Sequence, residues 1–302
     1  MAATYSSRLL FALLFACATI QAKRVIVCGS AQVLEGTLTQ RGGKASFQPE
    51  WTWRPEDSAG LPVALRSNFA GTDECKPVDG GKAVLITSSA NALALVSYET
   101  HATLFYANVR NAHSAALLPG GLIVAASSFS ADGTGDRLLL FDRARSDHAI
   151  ATLPLSWAHG VEWDQTRGVL WALGDRELVE ITISNRQMAV QKTFPLPSRG
   201  GHDLVLSGDA SVLYLTTGTQ VLVFTPKEAT FAPFAVFAGI GDVKSLSIDP
   251  DDGQIAYTQA GKGVWWTYTI QFLNPRAELV LPEHAYKMRW FPTERYNPRR
   301  AP

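Results

Sequence analysis

The most constraining feature of this sequence is a pattern of strand, tight turn and strand that recurs about every 43 residues. Each copy consists of an apolar run, a turn rich in Gly, Asp or Pro, and a second apolar run, which is typical of a β-hairpin. Many short strands with one recurring period favour a β-propeller over a sandwich. The five copies occupy residues 76–88, 113–127, 159–174, 202–217 and 244–259.

Each hairpin is followed by a third and a fourth strand pattern, so one repeat holds the four strands of a propeller blade. A sixth copy begins at Lys287, and the N-terminal runs at residues 24–28, 32–38 and 50–53 can supply its missing strands. The sequence therefore predicts an all-β chain, with residues 23–302 forming one six-bladed β-propeller of four-stranded blades. We expect the C-terminal inner strand to join the N-terminal strands in one blade, which leaves no open sheet edge.

The first residue of every copy is either lysine or histidine. Since the innermost strand of each blade lines the central channel, these six side chains are expected to converge as a ring at one mouth of the channel. Titratable side chains gathered in this way mark a candidate functional site. The predicted members are Lys76, His113, His159, His202, Lys244 and Lys287.

Two kinds of chemistry fit such a ring. His113, His159 and His202 are candidate catalytic residues, and three neutral imidazoles at one depth can also bind one divalent metal cation with positions left open. The three lysines instead favour binding of an anionic substrate, and nearby ammonium groups disfavour a divalent cation. A metal site and a metal-free anion site with a neutral histidine base both stay open.

Residues shortly before the ring belong to connections that share its face. We expect Tyr286 to act in catalysis, and Asn111, Trp157 and Arg199 to bind substrate together with the lysines. Trp157 is either a stacking surface for a sugar or an aromatic side chain packed between blades.

Two aspartates and two tryptophans also have predicted positions. Asp73 and Asp242 also precede ring positions and are candidate carboxylates of the site. Trp265 and Trp266 are placed within a strand, and we expect them to pack between blades.

The first 22 residues differ from the rest of the chain. Arg8 precedes an apolar run at residues 9–20, and Ala22 offers a small residue for cleavage, which indicates a secretory signal peptide at residues 1–22. The apolar run is shorter than the roughly 20 residues that cross a bilayer. We expect a secreted protein, periplasmic if bacterial, with no membrane span after cleavage.

The charge balance restricts the partners. The chain has 27 basic and 27 acidic side chains, so charge alone gives it no means of holding nucleic acid. We expect a monomer whose partner is an anionic carbohydrate or another small anionic ligand.

Two cysteines, Cys28 and Cys75, remain after removal of the signal peptide. In an oxidising compartment they can form one disulfide. The alternative is that both are small core residues.

The segments NAHSAALLPGG, WAHGVEWD, VLWALG, GGHDLV, DVKSLSI and WWT resemble, in order, an uncharacterised family of secreted bacterial and fungal propeller proteins, known only as a domain of unknown function. The resemblance covers nearly the whole mature chain and implies the fold and secretion, but no activity. A looser similarity, in architecture only, is to propeller-type polysaccharide lyases and lactonases, in which histidines at the channel mouth hold a metal or act as base. Residue roles do not transfer from it.

Three functions follow as hypotheses. The first is a secreted enzyme that cleaves an acidic, uronate-containing glycan by β-elimination, with lysines neutralising the carboxylate and a histidine or Tyr286 removing the proton. The second is a non-catalytic module that binds an anionic ligand or a partner protein. The third is a metal-dependent lactonase or esterase.

Overall fold

The computed structural model of the protein describes residues 22–261 and 263–292. Within these ranges the apolar runs form short β-strands separated by turns, so the prediction of an all-β chain is confirmed. Of the predicted signal peptide at residues 1–22, only Ala22 lies within the described part of the chain. No helix in the described ranges is both long and apolar enough to span a membrane.

The strands are short and follow the predicted repeat. The first eight are β1 (Lys23–Cys28), β2 (Val33–Arg41), β3 (Lys44–Trp53), β4 (Thr72–Val78), β5 (Ala83–Ser88), β6 (Ala92–Ser97), β7 (Thr103–Ala107) and β8 (Ala112–Leu118). The next eight are β9 (Leu122–Ser127), β10 (Arg137–Asp142), β11 (Ala149–Pro154), β12 (Gly160–Asp164), β13 (Val169–Leu173), β14 (Glu177–Ser184), β15 (Gln187–Pro195) and β16 (Leu204–Leu206). The last eight are β17 (Leu213–Thr216), β18 (Val221–Thr225), β19 (Thr230–Pro233), β20 (Val243–Ile248), β21 (Ile255–Gln259), β22 (Thr267–Leu273), β23 (Ala277–Ala285) and β24 (Lys287–Trp290).

Helical structure is limited to short connections. One four-residue α-helix, α1 (Val63–Arg66), continues into a 3₁₀ turn, and the other 3₁₀ turns lie mostly within the hairpins. The 3₁₀ segments are Ser67–Phe69, Asp79–Gly81, Pro119–Gly121 and Ala235–Phe237. In the hairpins Gly80 and Gly120 adopt φ of +63° and +75°, the left-handed conformation that glycine accepts without strain.

The strands form four separate four-stranded sheets and one eight-stranded sheet. The four sheets are unit 1 (β4–β7), unit 2 (β8–β11), unit 3 (β12–β15) and unit 4 (β16–β19). The larger sheet has the order β20-β21-β22-β23-β3-β2-β1-β24. A single parallel bridge, between Glu278 and Lys44, joins its two antiparallel halves. These halves are unit 5 (β20–β23) and the closing unit (β24, β1, β2 and β3).

The closing unit joins both ends of the described chain. β24 pairs antiparallel with β1, with Cys28 opposite Lys287 and Val25 opposite Trp290. The prediction that the C-terminal strand completes a sheet with the N-terminal strands is therefore confirmed.

The first strands of neighbouring units contact one another in a closed sequence. β4 contacts β8, β8 contacts β12, β12 contacts β16, β16 contacts β20, β20 contacts β24, and β24 contacts β4. Buried apolar side chains fill the space between the faces of adjacent sheets. Between units 3 and 4, for example, Trp171 packs with Leu204 and Phe224 in one cluster.

A disulfide joins Cys28 of β1 to Cys75 of β4, with their Cα atoms 5.9 Å apart. It links the closing unit to unit 1. Of the two alternatives for these cysteines, the structure has the bridged one.

Candidate functional site

The starts of the first strands share an irregular local geometry. In β4, β8 and β20 the pairing skips one residue, which leaves Asp73, His113 and Lys244 as bulged positions. Such a bulge re-aims the side chain of the extra residue. In each case the next residue resumes the ladder.

The remaining units place an equivalent residue one or two positions before the first paired one. The backbone N–H of His159 bonds to Leu173 O, that of His202 to Thr216 O, and that of Tyr286 to Cys28 O. The structural ring, defined by these equivalent positions, contains Asp73, His113, His159, His202, Lys244 and Tyr286.

Two members of the predicted ring are therefore corrected. Lys76 lies three residues beyond the ring position of unit 1, which Asp73 occupies, and Lys287 lies one residue beyond that of the closing unit, which Tyr286 occupies. Lys76 lies only three residues before the turn at Asp79, whereas His113 lies six residues before the turn at Pro119, so the predicted start of the first copy falls too late in its strand. In the closing unit no following hairpin turn fixes the register, and the predicted start is one residue late. The ring thus includes a carboxyl group and a phenol as well as basic side chains.

Lys287 lies below the ring, in a buried ionic network. Its Nζ is 3.0 Å from Asp203 Oδ1 and 3.3 Å from Glu74 Oε2. Arg289 contacts the same two carboxylates, with Nη2 at 2.7 and 2.8 Å. Burial opposes ionisation of Glu74, but Arg289 and Lys287 outweigh it and lower the pKa of Glu74 to about 2. Lys287 is fully buried and satisfied within the protein.

Lys76 is also occupied by protein groups. Its Nζ lies 2.9 Å from Glu162 Oε1 and 2.9 Å from Val161 O. Of the three lysines predicted to bind substrate, Lys76 and Lys287 thus have carboxylate partners across the inner strands, and only Lys244 belongs to the ring.

A cavity of about 340 Å³ lies at the ring. This volume is at the lower end of the range of small-ligand sites, about 300–1,000 Å³. The wall combines ring members with residues of the connecting loops. The lining residues are Asp73, Ser89, Asn111, His113, Ser128, Phe129, Trp157, His159, His202, Trp265 and Tyr286.

The three predicted histidines are brought together in this cavity. The rings of His113 and His159 stack with centroids 4.1 Å apart and planes 19° from parallel, and His202 meets His159 edge to face at 5.1 Å. Burial lowers the pKa of His159 to about 4, and burial followed by the charge of His159 holds the pKa of His113 and of His202 well below its usual range. All three are therefore neutral at pH 7.

His159 has a defined tautomer. Its Nδ1 lies 2.9 Å from Trp157 O and 3.1 Å from Ser128 Oγ. Because a carbonyl oxygen only accepts, Nδ1 carries the hydrogen and donates it. Nε2 is then the nitrogen with the free lone pair, the form a general base needs.

Asp73 is a carboxyl group held close to neutrality. Burial raises its pKa to about 7, although the amide of Ser89 donates a hydrogen bond to Oδ2. Its Oδ1 lies 3.5 Å from Nδ1 of His113. Burial and the charge of Asp73 raise the pKa of Tyr286 well above 10, so its phenol keeps its proton at neutral pH.

Lys244 differs from the other buried basic side chains. Lys23, Lys287 and Arg289 each have a carboxylate partner, whereas Lys244, only 5% exposed, pairs with none among the described residues. Its Nζ lies 2.8 Å from Nε2 of His202 and 5.9 Å from the centroid of Trp265. Burial lowers its pKa, an effect that the charge of Asp242 partly offsets, and Lys244 itself is not a lining residue of the cavity.

Asn111 and Trp157 line the cavity, where the sequence places them. Both adopt a left-handed backbone, with φ of +44° and +51°. Asn111 Nδ2 donates to Phe129 O at 2.7 Å, and the amide of Trp157 donates to Asp136 Oδ1 at 2.7 Å.

Arg199 is not brought into the cavity wall. Its guanidinium is exposed and pairs with Asp175, Nη2 to Oδ2 at 2.8 Å. Asp242 likewise does not line the cavity.

The prediction for Trp265 is wrong. β22 begins at Thr267, so Trp265 lies in the preceding loop, 72% exposed on the cavity rim, and does not pack between sheets. Phe129, 50% exposed, is a further rim residue that sequence reasoning missed. Its one signal is its position directly after the serines that end β9.

The histidines are not arranged as three metal ligands. In the described ranges no group of three His, Cys, Asp or Glu side chains has a geometry that could hold a metal ion. A lone pair lies in the plane of its imidazole, and two nearly parallel stacked rings do not aim at one point. A metal bound by His113, His159 and His202 together would require these rings to rotate out of the stack.

Sequence comparisons identify the family of the chain. No curated protein matches it. One family, described as a family of unknown function (DUF6528), matches residues 37–297. Because this match covers most of the sequence, the chain belongs to the family of unknown function DUF6528.

Proposed function

We propose that the protein is a secreted carbohydrate-active enzyme that cleaves an acidic, uronate-containing glycan by β-elimination in the ring cavity. One observation carries the proposal. Three neutral histidines and a carboxyl group with a pKa of about 7 line a cavity rimmed by exposed aromatic rings, and the buried ammonium group of Lys244 contacts one of these histidines, His202. Elimination from a uronate needs a base, a partner for the carboxylate and an acid for the leaving group.

The reaction is balanced without water. A base removes the proton from the carbon next to the carboxylate, and the electrons of that C–H bond form a carbon–carbon double bond. The glycosidic C–O bond on the neighbouring carbon breaks, and its oxygen takes up a proton to become a hydroxyl group. One fragment therefore ends in an unsaturated uronate.

His159 is the base in this proposal. Its Nδ1 donates to Trp157 O, which orients the ring and leaves the Nε2 lone pair for the substrate. A bound carboxylate raises the proton affinity of a nearby imidazole. The low pKa of His159 in the free protein would therefore rise when the substrate binds.

Lys244 and Asp73 would receive the substrate carboxylate. The ammonium group of Lys244 is largely desolvated and forms no salt bridge among the described residues, with Asp242 as a more distant carboxylate neighbour, so an anion that reaches it gains a charge-assisted contact. Asp73 in its protonated form can donate a hydrogen bond to the same group. These contacts strengthen as negative charge develops on the carboxylate, and they acidify the adjacent carbon.

Tyr286 would protonate the leaving oxygen. Its phenol lines the cavity and keeps its proton at neutral pH, as a general acid requires. The Tyr286 ring centroid lies 6.1 Å from that of His113, and His113 stacks on the base, His159, at 4.1 Å, so acid and base both adjoin His113.

We also propose that the six four-stranded units are the blades of a six-bladed β-propeller. The closed sequence of contacts from β4 through β24 and back to β4 supports this arrangement, as does the shared ring position of every first strand. Secretion is proposed from residues 1–22 and agrees with the Cys28–Cys75 disulfide, a bond that persists in oxidising compartments.

The alternative is a non-catalytic module that binds an anionic ligand in the same cavity. The observation in its favour is the pKa of His159, about 4, because so weak a base suits binding better than proton abstraction. In this alternative Lys244 and the aromatic rim act as in the enzyme, and no bond is broken.

The test is ultraviolet absorbance in the band of unsaturated uronates, recorded while the protein is incubated with a panel of uronate polysaccharides. We expect a rise with the wild-type protein and at least a hundredfold slower rise with His159→Gln. His148→Gln is the matched control, since His148 is exposed and outside the cavity. Binding of a polysaccharide without any rise in absorbance would overturn the proposal of an enzyme and favour the non-catalytic binding module.

A further inference from the structure

Exposed aromatic side chains are concentrated at the rim of the ring cavity. In the described ranges four large aromatic residues are exposed, namely Phe129, Trp157, Trp265 and Tyr268. The first three line the cavity. Exposed aromatic surface is unfavourable in water and is stabilised when a ligand covers it. A cluster of such rings at a cavity therefore marks a ligand-binding surface.

The rim aromatics come from two separate parts of the chain. Phe129 lies between β9 and β10 of unit 2, and Trp157 lies between units 2 and 3, with the two ring centroids 6.0 Å apart. Trp265 precedes β22 of unit 5. In the sequence of contacts among first strands, unit 5 is three steps from unit 2 in either direction. In the proposed six-bladed arrangement, Trp265 therefore lies across the cavity from the Phe129–Trp157 pair.

The Trp157 position is held despite its backbone cost. A φ of +51° is uncommon for a bulky residue and strains its backbone. The carboxylate of Asp136 accepts from the Trp157 amide, and the carbonyl of Trp157 accepts from His159 Nδ1. The same peptide segment thus places an exposed indole on the rim and orients the histidine beneath it.

The polar residues of the site share the cavity with these aromatic side chains. Asn111, His113, His159 and His202 line the cavity, and Lys244 contacts both His202 and Trp265. A sugar presents a flat face of C–H groups to an aromatic ring and hydroxyl groups at its edges. Aromatic walls flanking a polar floor with one cation match a row of sugar rings that carries a carboxylate.

We propose that the ligand is an acidic oligosaccharide segment that spans the opening, with one sugar stacked on Phe129 and Trp157, one on Trp265, and the uronate that reacts between them. This inference rests on the proposed function for the identity of the central uronate. It adds that a single uronic acid is too short and that binding free energy comes from both walls.

The test is calorimetric binding of uronate oligomers graded in length, from free galacturonate and guluronate upward, to the whole protein carrying His159→Gln so that the ligands stay intact. We expect affinity to rise at least a hundredfold between the monosaccharide and the oligomers that reach both walls. Trp157→Ala and Trp265→Ala should each weaken binding of the long oligomers about tenfold, the cost of losing one aromatic anchor. Neither change should alter binding of the monosaccharide by as much.

Tyr268→Ala is the control, because Tyr268 is exposed but does not line the cavity, and it should leave every affinity unchanged. Equal affinity for short and long ligands would overturn the proposal that the ligand spans the opening. So would a Trp265→Ala protein that binds long oligomers as tightly as its parent. Absence of binding to every uronate oligomer overturns it as well. Length-dependent binding through both walls without unsaturated product from the wild-type protein would leave this inference standing and remove only the elimination step.

Discussion

Lys244 donates a hydrogen bond to His202, with Nζ 2.8 Å from Nε2. An ammonium group only donates, so Nε2 accepts and the hydrogen of His202 resides on Nδ1. A buried cation that contacts a neutral imidazole and forms no salt bridge among the described residues, with only the more distant charge of Asp242 to offset it, is costly in the free protein and becomes favourable when an anion binds beside it. This contact, next to the cavity wall at His202, supports an anionic ligand.

Replacing this lysine should therefore stabilise the protein. We expect Lys244→Met to raise the free energy of unfolding by about 1 kcal/mol, because a buried unpaired charge is exchanged for a side chain of similar length. The same variant should lose at least tenfold in affinity for uronate ligands. Urea denaturation measures the first effect and calorimetry the second.

The matched variant is Lys287→Met in the buried network. It leaves Glu74 and Asp203 with Arg289 as the remaining basic partner, and we expect a loss of about 3 kcal/mol or more. A Lys244→Met protein destabilised as much as Lys287→Met would show that Lys244 is a structural charge and not a ligand-binding one.

How far the sequence predicts this site depends on how local each feature is. The hairpin turns and apolar runs are local, so the strands and their joining across the termini follow from them. The ring register does not, because a one-residue bulge at Asp73 or His113 leaves the apolar pattern unchanged. The partners of Lys287 lie in units 1 and 4, far away in sequence, and no spacing indicates them.

The same distinction between local and non-local features explains which tryptophan positions the sequence predicts. Trp265 and Trp266 read as strand residues because they continue an apolar run toward β22, yet the strand begins only at Thr267. Strand ends are set by where cross-strand hydrogen bonds begin, which a single run does not reveal. Trp157 illustrates the reverse case, since its place before the His159 strand correctly put it on the rim.

Asp73 should give the stability a specific pH dependence. Its folded pKa, about 7, is above the usual aspartate value of 3.8, so its contribution to stability is fully present below pH 4 and is lost as the pH rises through 7. Relative to Asp73→Asn, the wild-type protein should therefore lose about 3 kcal/mol of unfolding free energy between pH 4 and pH 8. Urea denaturation of both proteins across this range gives the difference. A difference that does not vary with pH would mean that Asp73 is ionised throughout.

His159 should change the free energy of unfolding with pH in the opposite direction. Its folded pKa, about 4, is below the usual 6.5, so the unfolded chain binds the proton more tightly and stability is lost as the pH falls below 6.5. The free energy of unfolding should therefore fall less steeply between pH 6.5 and pH 4 in His159→Gln than in the wild-type protein, by about 2 kcal/mol or more. Two-dimensional NMR of the imidazole signals gives a direct check. Protonation of His159 near pH 6.5 in the folded protein would contradict this account.

The Cys28–Cys75 disulfide closes the sheet arrangement, since it ties β1 of the closing unit to β4 of unit 1. In the chain-entropy description a link across 47 residues stabilises by about 4 kcal/mol. We expect Cys28→Ala with Cys75→Ala to lower the thermal midpoint by several degrees. Peptide mapping of the unreduced wild-type protein should recover the linked pair, and alkylation of both thiols without reductant would contradict it.

The most direct test of the central claim is digestion of a uronate polysaccharide in water labelled with the heavy oxygen isotope, followed by mass spectrometry of the fragments. Elimination in the ring cavity predicts that both new ends lack solvent oxygen and that one fragment is lighter by one water than a hydrolysis product. Incorporation of the heavy isotope at the cleaved bond would show hydrolysis and contradict the account.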